Sequence, residues 1–314
     1  MAASTNENIT GLVVDAGPAL GYGHAVRCLR LARALQGRVR IFPQSEECSA
    51  FFKREGYGDC IQHGKAEFPP LVVTDLREPR GTSAAIHAQG SLHVSIHDLG
   101  LAQCTSEVAI DGSVAQLFPF SHTKHRAVFV GPAYTITRRP VARSATKDTV
   151  LVTLGGGTSA ELGDAIAQSL KPLGLQAVTT SGLRGSNPMS DDVLEEAMSR
   201  CLFAISASGT ALYDLLASGI PTIAVALDPL QRRTADAFHE IGAALSAGLI
   251  DRLSPAALRA RCQELLENNP LMSRMAAAGR AAIDGKGLER VVGILDQLRR
   301  DLWLMKQAKI FSIG

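Results

Sequence analysis

A short apolar strand followed by a glycine-rich turn and a helix occurs twice in this sequence. The first occurrence is the apolar run at residues 10–16, which ends in GPALGYG and is followed by apolar residues at helical spacing as far as Leu35. The second is the run TVLVTL at 149–154, followed by three glycines and a helical pattern that reaches Leu170. Two strand–turn–helix segments of this kind predict two similar α/β domains.

Short β-rich runs separated by helical or turn-forming stretches fill the rest of both halves, and such alternation is typical of parallel sheets. The polar stretch 137–148 shows neither periodicity and contains Pro140, so it predicts the linker. We expect an N-terminal Rossmann-like domain over residues 1–140 and a C-terminal Rossmann-like domain over 141–286. An apolar stripe predicts that residues 287–314 form a helix that packs back toward the first domain.

The composition excludes several classes of protein. The 314 residues include 32 basic and 30 acidic side chains, a formal charge of +2, which is too balanced for general nucleic-acid binding. Six cysteines without a CxxC pair predict reduced, mostly buried thiols. The N-terminal segment lacks the features of a signal peptide and no apolar run of about 18 residues occurs, so we expect a cytoplasmic protein without stable membrane insertion.

The first candidate site is the glycine loop that contains Gly21, Tyr22 and Gly23 and precedes His24. Its glycines allow a tight turn and place His24 at a helix start, where the positive helix terminus favours the neutral imidazole that accepts protons. Arg27 shares that helix face and could present its guanidinium to the same ligand. The structural alternative is a histidine that only caps the helix. A dinucleotide-binding motif is excluded because the third glycine is missing.

The second candidate site follows the run LFAIS, where backbone N–H groups and hydroxyls at a helix start can receive a diphosphate. It comprises Ser206, Ser208, Gly209 and Thr210, and Asp214 follows on the same helix face, where its carboxylate could accept hydrogen bonds from ribose hydroxyls. The structural alternative is an ordinary helix cap with a solvated aspartate.

Three weaker candidates also follow apolar runs. Gly155 and Gly156 could let the backbone approach a ligand, although a purely steric role explains them equally well. Leu230 and Gln231 follow the run PTIAVAL, at a strand end where α/β sheets bind ligands. His97 and Asp98 also lie at a strand end, and at most one of them should enter the cleft because adjacent strand residues face opposite ways.

These motifs resemble the UDP-2,4-diacetamido-2,4,6-trideoxy-β-L-altropyranose hydrolases of pseudaminic acid biosynthesis, relatives of the glycosyltransferases that make peptidoglycan lipid II. The resemblance spans most of the chain. It lies in GYGHAVRCLRLARAL, IHDLG, GPAYTITR, LGGGTSA and ISASGTALYDLLASGIPTIAV. It implies an α/β glycosyltransferase-B fold, with two Rossmann-like domains whose parallel sheets face each other across a cleft.

The resemblance also implies roles for individual residues. His24 is similar to the family's catalytic histidine, the segment 208–210 to its diphosphate site, and Asp214 to its ribose contact. The chain departs from the family, which usually has Glu at position 214, Asn at position 230 and an acidic residue at position 97. The nucleotide-binding candidates are Gly155, Gly156, Ser206, Ser208, Gly209, Thr210, Asp214 and Gln231; the sugar-binding candidates are Gly21, Tyr22, Gly23, His97, Asp98 and Leu230.

The leading hypothesis is a nucleotide-sugar hydrolase that releases UDP, with His24 activating water and Arg27 neutralising charge. No Asp-x-Asp, HExxH or paired Cys/His spacing occurs, so we expect no metal and no cofactor. The alternatives are a UDP-sugar-dependent glycosyltransferase, a non-catalytic nucleotide-sugar-binding protein and a nucleotide-sugar epimerase. The expected partner is a UDP-linked, modified amino or deoxy sugar. The sequence does not specify an oligomeric state.

Overall fold

The computed structural model describes residues 8–64, 67–77, 80–99, 105–115, 125–155, 160–180 and 191–311. The chain divides into two compact units. The first comprises Met1–Ile136 and Lys286–Gly314, and the second comprises Thr137–Gly285. The chain therefore leaves the first unit after Ile136 and returns to it at Lys286.

The first unit is built on a parallel sheet of six strands. The strands are β1 (Thr10–Val14), β2 (Val39–Pro43), β3 (Leu71–Asp75), β4 (Leu92–His97), β5 (Val108–Asp111) and β6 (Ala127–Val130). Their order across the sheet is β2-β1-β3-β4-β5-β6, and every pair is parallel. The strand order reverses between β1 and β3, and ligands bind at such a switch point, beyond the carboxyl ends of the strands.

Four described helices belong to this unit: α1 (Gly23–Ala34), α2 (Glu46–Arg54), α3 (Arg80–Ala88) and the last helix of the chain, Gly287–Phe311. The apolar face of α1 is buried as its spacing predicted, with Cys28 and Ala32 fully inaccessible to solvent. Val291 and Leu295 of the last helix are buried in the same core, and this helix packs against α1. Its apolar stripe therefore completes the core of the first unit.

The second unit repeats the architecture with five parallel strands. They are β7 (Thr149–Thr153), β8 (Gln176–Thr179), β9 (Cys201–Ala207), β10 (Thr222–Ala226) and β11 (Leu245–Leu249). Their order is β11-β10-β9-β7-β8, which places the switch point between β7 and β9. The glycine turn after β7 and the serine-rich turn after β9 therefore follow neighbouring strands.

Several of the described helices of the second unit begin with a side-chain cap and a proline. The described helices of this unit are α4 (Ala160–Ser169), α5 (Asp191–Arg200), α6 (Thr210–Ala217), α7 (Pro229–Glu240), α8 (Pro255–Glu267) and α9 (Asn269–Ala282); the last helix of the chain is α10. Asp228 accepts the N–H groups of Leu230 and Gln231 before α7, and Ser254 accepts that of Ala257 before α8. A proline at the first position of α7 and of α8 fixes φ at a value that suits a helix, which favours the start of the helix at that residue.

The segment predicted to be the linker has no helix or strand between residues 135 and 148. It is nevertheless attached to the second unit by defined contacts. The Arg138 N–H donates to Asp214, and the Arg143 guanidinium donates to the carbonyl oxygens of Met198 and Cys201. The bonds from Arg143 satisfy backbone oxygens at the end of α5 and the start of β9. The segment 137–148 is therefore hydrogen-bonded to the rest of the second unit.

The described cysteines are free thiols. Cys28, Cys48, Cys201 and Cys262 are buried and Cys60 is half-buried, whereas Cys104 lies outside the described residues. Burial raises the pKa of Cys262 to about 12, so this thiol stays protonated and unreactive at neutral pH. Among the described residues, no helix is long and apolar enough to span a membrane.

Candidate functional site

The glycine loop after β1 turns the chain sharply into α1. Gly17 and Gly21 exchange two backbone hydrogen bonds, and Gly21 has a φ of +80°, a conformation that residues with a Cβ rarely adopt. Tyr22 precedes the first helical residue, and its ring packs 5.8 Å from that of Phe51. The loop therefore fixes His24 in the first turn of α1, at the switch point of the sheet.

His24 forms a short hydrogen bond with a buried carboxylate on the neighbouring strand. Its Nδ1 lies 2.6 Å from Oδ1 of Asp75, the last residue of β3. Burial by itself would raise the pKa of the Asp75 carboxyl, but Arg27 and His24 outweigh burial and hold that pKa well below its usual range. Because the ionised Asp75 carboxylate can only accept, the proton of this bond resides on Nδ1, and Nε2 is the ring nitrogen that remains for a ligand.

Arg27 is held between two carboxylates. Its Nε and Nη2 donate to the two oxygens of Asp75 at 2.9 and 2.7 Å, and Nη1 and Nη2 donate to the two oxygens of Asp98 at 2.5 and 3.0 Å. The pKa of Arg27 is raised well above its usual value because these charges outweigh the opposing effect of burial. The contact between Nη2 and His24 Nδ1 at 3.0 Å joins two donors and is no hydrogen bond.

This arrangement corrects the prediction that Arg27 presents its guanidinium to the ligand. Four of its five N–H groups donate inside the cluster of His24, Arg27, Asp75 and Asp98, and its positive charge faces two carboxylates. A guanidinium that is already paired with two carboxylates attracts a diphosphate only weakly. The cluster instead suits a neutral group that loses a proton.

The cluster is open to solvent on one side. The Asp98 side chain is 45% exposed, whereas the Asp75 side chain is fully buried. His24 Nε2 lies 4.0 Å from Asp98 Oδ2. A single hydroxyl or water oxygen can lie within hydrogen-bond distance of both atoms, so this side offers a base and a second acceptor.

His97 does not belong to this cluster, which corrects its prediction as a sugar-binding residue. Its ring is 2% exposed, its Nε2 lies 2.6 Å from Ser95 Oγ, and it stacks edge-on against His125 at 5.7 Å. Burial, followed by the neighbouring His125, lowers the pKa of His97 to about 4. The reason is the alternation of side chains along β4, which directs His97 into the interior while Asp98 remains at the edge.

In the second unit, the predicted diphosphate site lies at the switch point, but its serine hydroxyls have internal partners. Ser206 Oγ donates to the Ala207 carbonyl, and Ser208 Oγ donates to the Val225 carbonyl at 3.0 Å. Gly209 precedes α6 and supplies no side-chain cap to it. The prediction that these two serine hydroxyls bind a diphosphate is therefore corrected. The backbone N–H groups at the start of α6 are the donors that remain for a ligand.

The remaining nucleotide-binding candidates are only partly available to a ligand. Gly155 lies two residues after the end of β7 and has a φ of +90°, and Gly156 lies outside the described residues. The Asp214 carboxylate is buried on α6, and its Oδ1 accepts the Arg138 N–H at 3.0 Å. Gln231 Oε1 accepts the Leu227 N–H at 3.2 Å, so this side chain closes the turn before α7.

Leu230 was predicted as a site residue, whereas Asp75 was not. Leu230 is 38% exposed in the first turn of α7, so its side chain is available for contact. Asp75 was missed by the sequence reasoning, although an acidic residue at the end of the apolar run LVVTD was a visible signal. What the sequence could not supply was the sheet order, which places β3 beside β1 and so brings Asp75 to His24.

Among the described residues, no group of three or more His, Cys, Asp or Glu side chains is arranged to hold a metal ion. The acids around His24 are instead bridged by Arg27, whose guanidinium lies between them. The two carboxylate charges in this cluster are thus partly neutralised by the Arg27 guanidinium.

Comparisons with known proteins identify the fold. No protein-family model matches the chain. The spore coat polysaccharide biosynthesis protein SpsG of Bacillus subtilis (strain 168) is 25% identical over 92% of this chain and 98% of that protein. MurG of Acinetobacter baumannii superposes with a TM-score of 0.65 at 16% identity, covering 92% of this chain and 99% of that chain.

The spinosyn forosaminyltransferase SpnP superposes with a TM-score of 0.63 at 15% identity, covering 93% of this chain and 99% of that chain. These likenesses extend over both units. The chain therefore has a fold of the glycosyltransferase-B type, built from two Rossmann-like units with parallel sheets, and the fold class predicted from the sequence is confirmed.

Proposed function

We propose that this protein is a glycosyltransferase that uses a nucleotide-sugar donor in the synthesis of a glycan. The observation that carries the proposal is the hydrogen bond between His24 and the buried, ionised Asp75 at the switch point of the first sheet. It is supported by the relative named for polysaccharide biosynthesis and by the structural neighbour named as a sugar transferase. The hydrolase that we expected from the sequence has less support from these comparisons.

In the proposed reaction, His24 is the general base. Its Nε2 accepts the proton of an acceptor hydroxyl while the hydroxyl oxygen forms a bond to the anomeric carbon of the donor. The bond between that carbon and the diphosphate breaks, and its electron pair leaves with the diphosphate. Asp75 stays ionised and stabilises the imidazolium that forms.

Asp98 positions the acceptor in this proposal. Both of its oxygens already accept from Arg27, but a carboxylate oxygen has a second lone pair for a ligand hydroxyl. A hydroxyl held between Asp98 Oδ2 and His24 Nε2 is directed at the base before it reacts. Gly21, Tyr22 and Gly23 shape this side of the site, and Leu230 remains a candidate for sugar contact.

The second unit supplies the proposed nucleotide site. The N–H groups of Gly209, Thr210 and Ala211 at the start of α6 would receive the diphosphate, helped by the positive end of the helix. Gly155 would let the backbone approach the nucleotide closely. Asp214 and Gln231 remain candidates for the ribose and sugar contacts implied by the sequence resemblance, and uridine is the base that this resemblance favours.

A nucleotide-sugar hydrolase is the second candidate, because the position between His24 Nε2 and Asp98 Oδ2 fits a water molecule as well as a sugar hydroxyl. The two reactions differ only in which hydroxyl compound donates the proton. The same residues would act as base and positioning group in both.

The deciding experiment measures UDP release from a panel of UDP-sugars, with and without a panel of sugar acceptors, for the wild type and His24→Ala. A transferase releases UDP only with an acceptor, and His24→Ala should reduce that release by about 10²-fold or more. His63→Ala, which changes an exposed histidine of the same unit, is the matched control and should behave as the wild type.

Each other outcome identifies a different activity. Release without an acceptor, lost in His24→Ala, indicates the hydrolase, and an isomerised sugar still attached to UDP indicates an epimerase. Saturable UDP binding without any product indicates a non-catalytic binder. Release that is equal in the wild type and His24→Ala contradicts the role of His24.

A further inference from the structure

A groove on the second unit, lined by residues outside the predicted sites, combines several cationic side chains. It has a volume of about 390 Å³ and lies between α7 and β11. Arg232, Asp236 and His239 line it from α7, at a spacing that places them on one helix face. Arg252 lines it from the turn that follows β11.

The floor of the groove is an irregular part of an edge strand. Among the described strands, β11 is the outermost of its sheet, so one side of its backbone has no neighbour among them. Its register with β10 shifts so that Ala224 pairs with Ser246 and Val225 pairs with Gly248, which leaves one extra residue between them. Gly248 has a φ of +79°, and a Cβ there would meet no atom within 4 Å. The bulge thus opens backbone groups to the groove.

The only carboxylate that lines the groove in the described part of the chain is already engaged. Asp236 Oδ1 accepts from Ser246 Oγ at 2.7 Å, and Asp236 Oδ2 accepts from Arg232 Nε at 3.1 Å. These two bonds hold Asp236 and orient Arg232. They leave both Nη groups of Arg232 to donate to a ligand.

The groove therefore carries an excess of positive charge. Arg232 and Arg252 contribute two positive charges against one negative charge on Asp236, a net charge of +1 before His239 is counted. The Arg252 guanidinium also lines the groove and can form a bidentate pair with an anion. His239 Nδ1 lies 3.3 Å from the Ala244 carbonyl, and donation to that oxygen leaves Nε2 to accept from a ligand hydroxyl.

We propose that this groove binds a small organic phosphate. Two arginines match the double charge of a phosphate monoester, whereas a single carboxylate would need only one of them. The groove is also larger than a bare phosphate ion, and its volume falls within the range of small-molecule sites. The organic part of the ligand would lie against Ala247 and Leu249, which line the same groove.

The test is calorimetric titration of the full chain with glucose 1-phosphate and with inorganic phosphate. We expect saturable binding that is tighter for glucose 1-phosphate, and a loss of affinity of about tenfold or more in both Arg232→Gln and Arg252→Gln. Arg233→Gln is the matched control, because it removes the same charge from the next position of α7 without lining the groove. It should bind as the wild type.

Four results would overturn the proposal. The first three are the absence of saturable binding by the wild type, an equal loss of affinity in Arg233→Gln, and equal affinity for the two phosphates. None of these measurements requires a glycosyl donor, so failure here is distinguishable from failure of the proposed transferase activity. Binding that persists unchanged in Arg252→Gln would place the phosphate elsewhere and would also overturn the proposal.

Discussion

At the scale of single residues, the proposed site depends on the protonation state that Asp75 imposes on His24. An ionised carboxylate fully buried beside Nδ1 can only accept, so Nδ1 keeps its proton and Nε2 is the nitrogen left to act as the base in the proposed reaction. Arg27 contributes by keeping Asp75 ionised despite its burial. The guanidinium thus acts on the base through Asp75 and not by contact with a diphosphate.

Replacing Asp75 by asparagine should separate this role from simple packing. An amide nitrogen cannot accept from Arg27, and it can donate to His24 Nδ1, which stabilises the tautomer whose Nε2 is protonated. We expect Asp75→Asn to lower the rate of UDP release in the proposed reaction by about 10²- to 10⁴-fold. Steady-state kinetics with saturating donor measures this effect.

The control for this prediction is Asp59→Asn, a change of the same kind at an exposed position of the first unit. Thermal unfolding of both variants shows whether the Asp75→Asn protein is folded at the assay temperature. A folded Asp75→Asn enzyme with a rate within about twofold of the wild type would contradict the role assigned to Asp75.

At the scale of secondary-structure elements, the last helix is held in place by a close backbone contact. A Cβ added at Gly287, the first residue of α10, would lie 2.0 Å from the carbonyl oxygen of Thr135. Such a distance requires the helix or the turn to move. The Arg290 guanidinium also donates to the Ala133 carbonyl at 2.8 Å, so the start of α10 is held at two points.

Gly287→Ala should therefore destabilise the first unit by about 1 to 3 kcal/mol, since the added methyl group forces α10 away from its core contacts. Gly293→Ala on the same helix is the matched control, because a Cβ there meets no atom within 4 Å and alanine favours the helix by about 0.5 to 1 kcal/mol. Trp303, the single tryptophan, lies on α10 and reports the unfolding of this unit by fluorescence. Equal stability of the two variants would show that the contact at Gly287 is unimportant.

At the scale of the whole molecule, both units have the same order of their first strands, and both place glycine-rich or serine-rich turns at a switch point. The first unit differs in carrying a buried polar network of histidines and serines behind the strand ends. His93 Nε2 lies 2.8 Å from Thr74 Oγ1, and His97 lies beside Ser95 and His125. Desolvation by burial is the main reason that the pKa values of His93 and His97 are each lowered to about 4.

This network should make the first unit sensitive to mild acid. In the unfolded chain these histidines become protonated below their ordinary pKa of 6.5. In the folded protein, buried His93 and His97 become protonated only near pH 4. The free energy of unfolding should therefore fall as pH decreases from 6.5 toward 4, by up to about 1.4 kcal/mol per pH unit for each histidine. The lowered pKa of Asp75 acts only at lower pH, so it does not contribute in this window.

Urea unfolding followed by Trp303 fluorescence at several pH values between about 7 and 4.5 measures this dependence. His93→Gln removes one of the two groups and should reduce the slope of stability against pH by about half, whatever its effect on stability at neutral pH. A free energy of unfolding that stays constant between about pH 7 and 5 would contradict the assignment of these histidines.

The sequence by itself determined most of the local structure. Apolar runs, glycine turns and helical spacing predicted the strands β1, β7 and β9 and the helices that follow them, because these patterns depend on neighbours a few residues apart. The position of His24 in the first turn of α1 followed for the same reason. The apolar stripe of the last helix likewise predicted that it would need a core to pack against.

Only the tertiary structure decided what the side chains at those positions contact. Arg27 lies 48 residues from Asp75 and 71 from Asp98, and only the order of the strands brings the three together. Ser206, Ser208 and His97 were predicted to meet a ligand, yet burial gave them internal partners. The sequence shows which residues are polar. It does not show which partner satisfies each buried polar group, because that partner can lie on a strand that is distant in sequence and becomes a neighbour only in the folded protein.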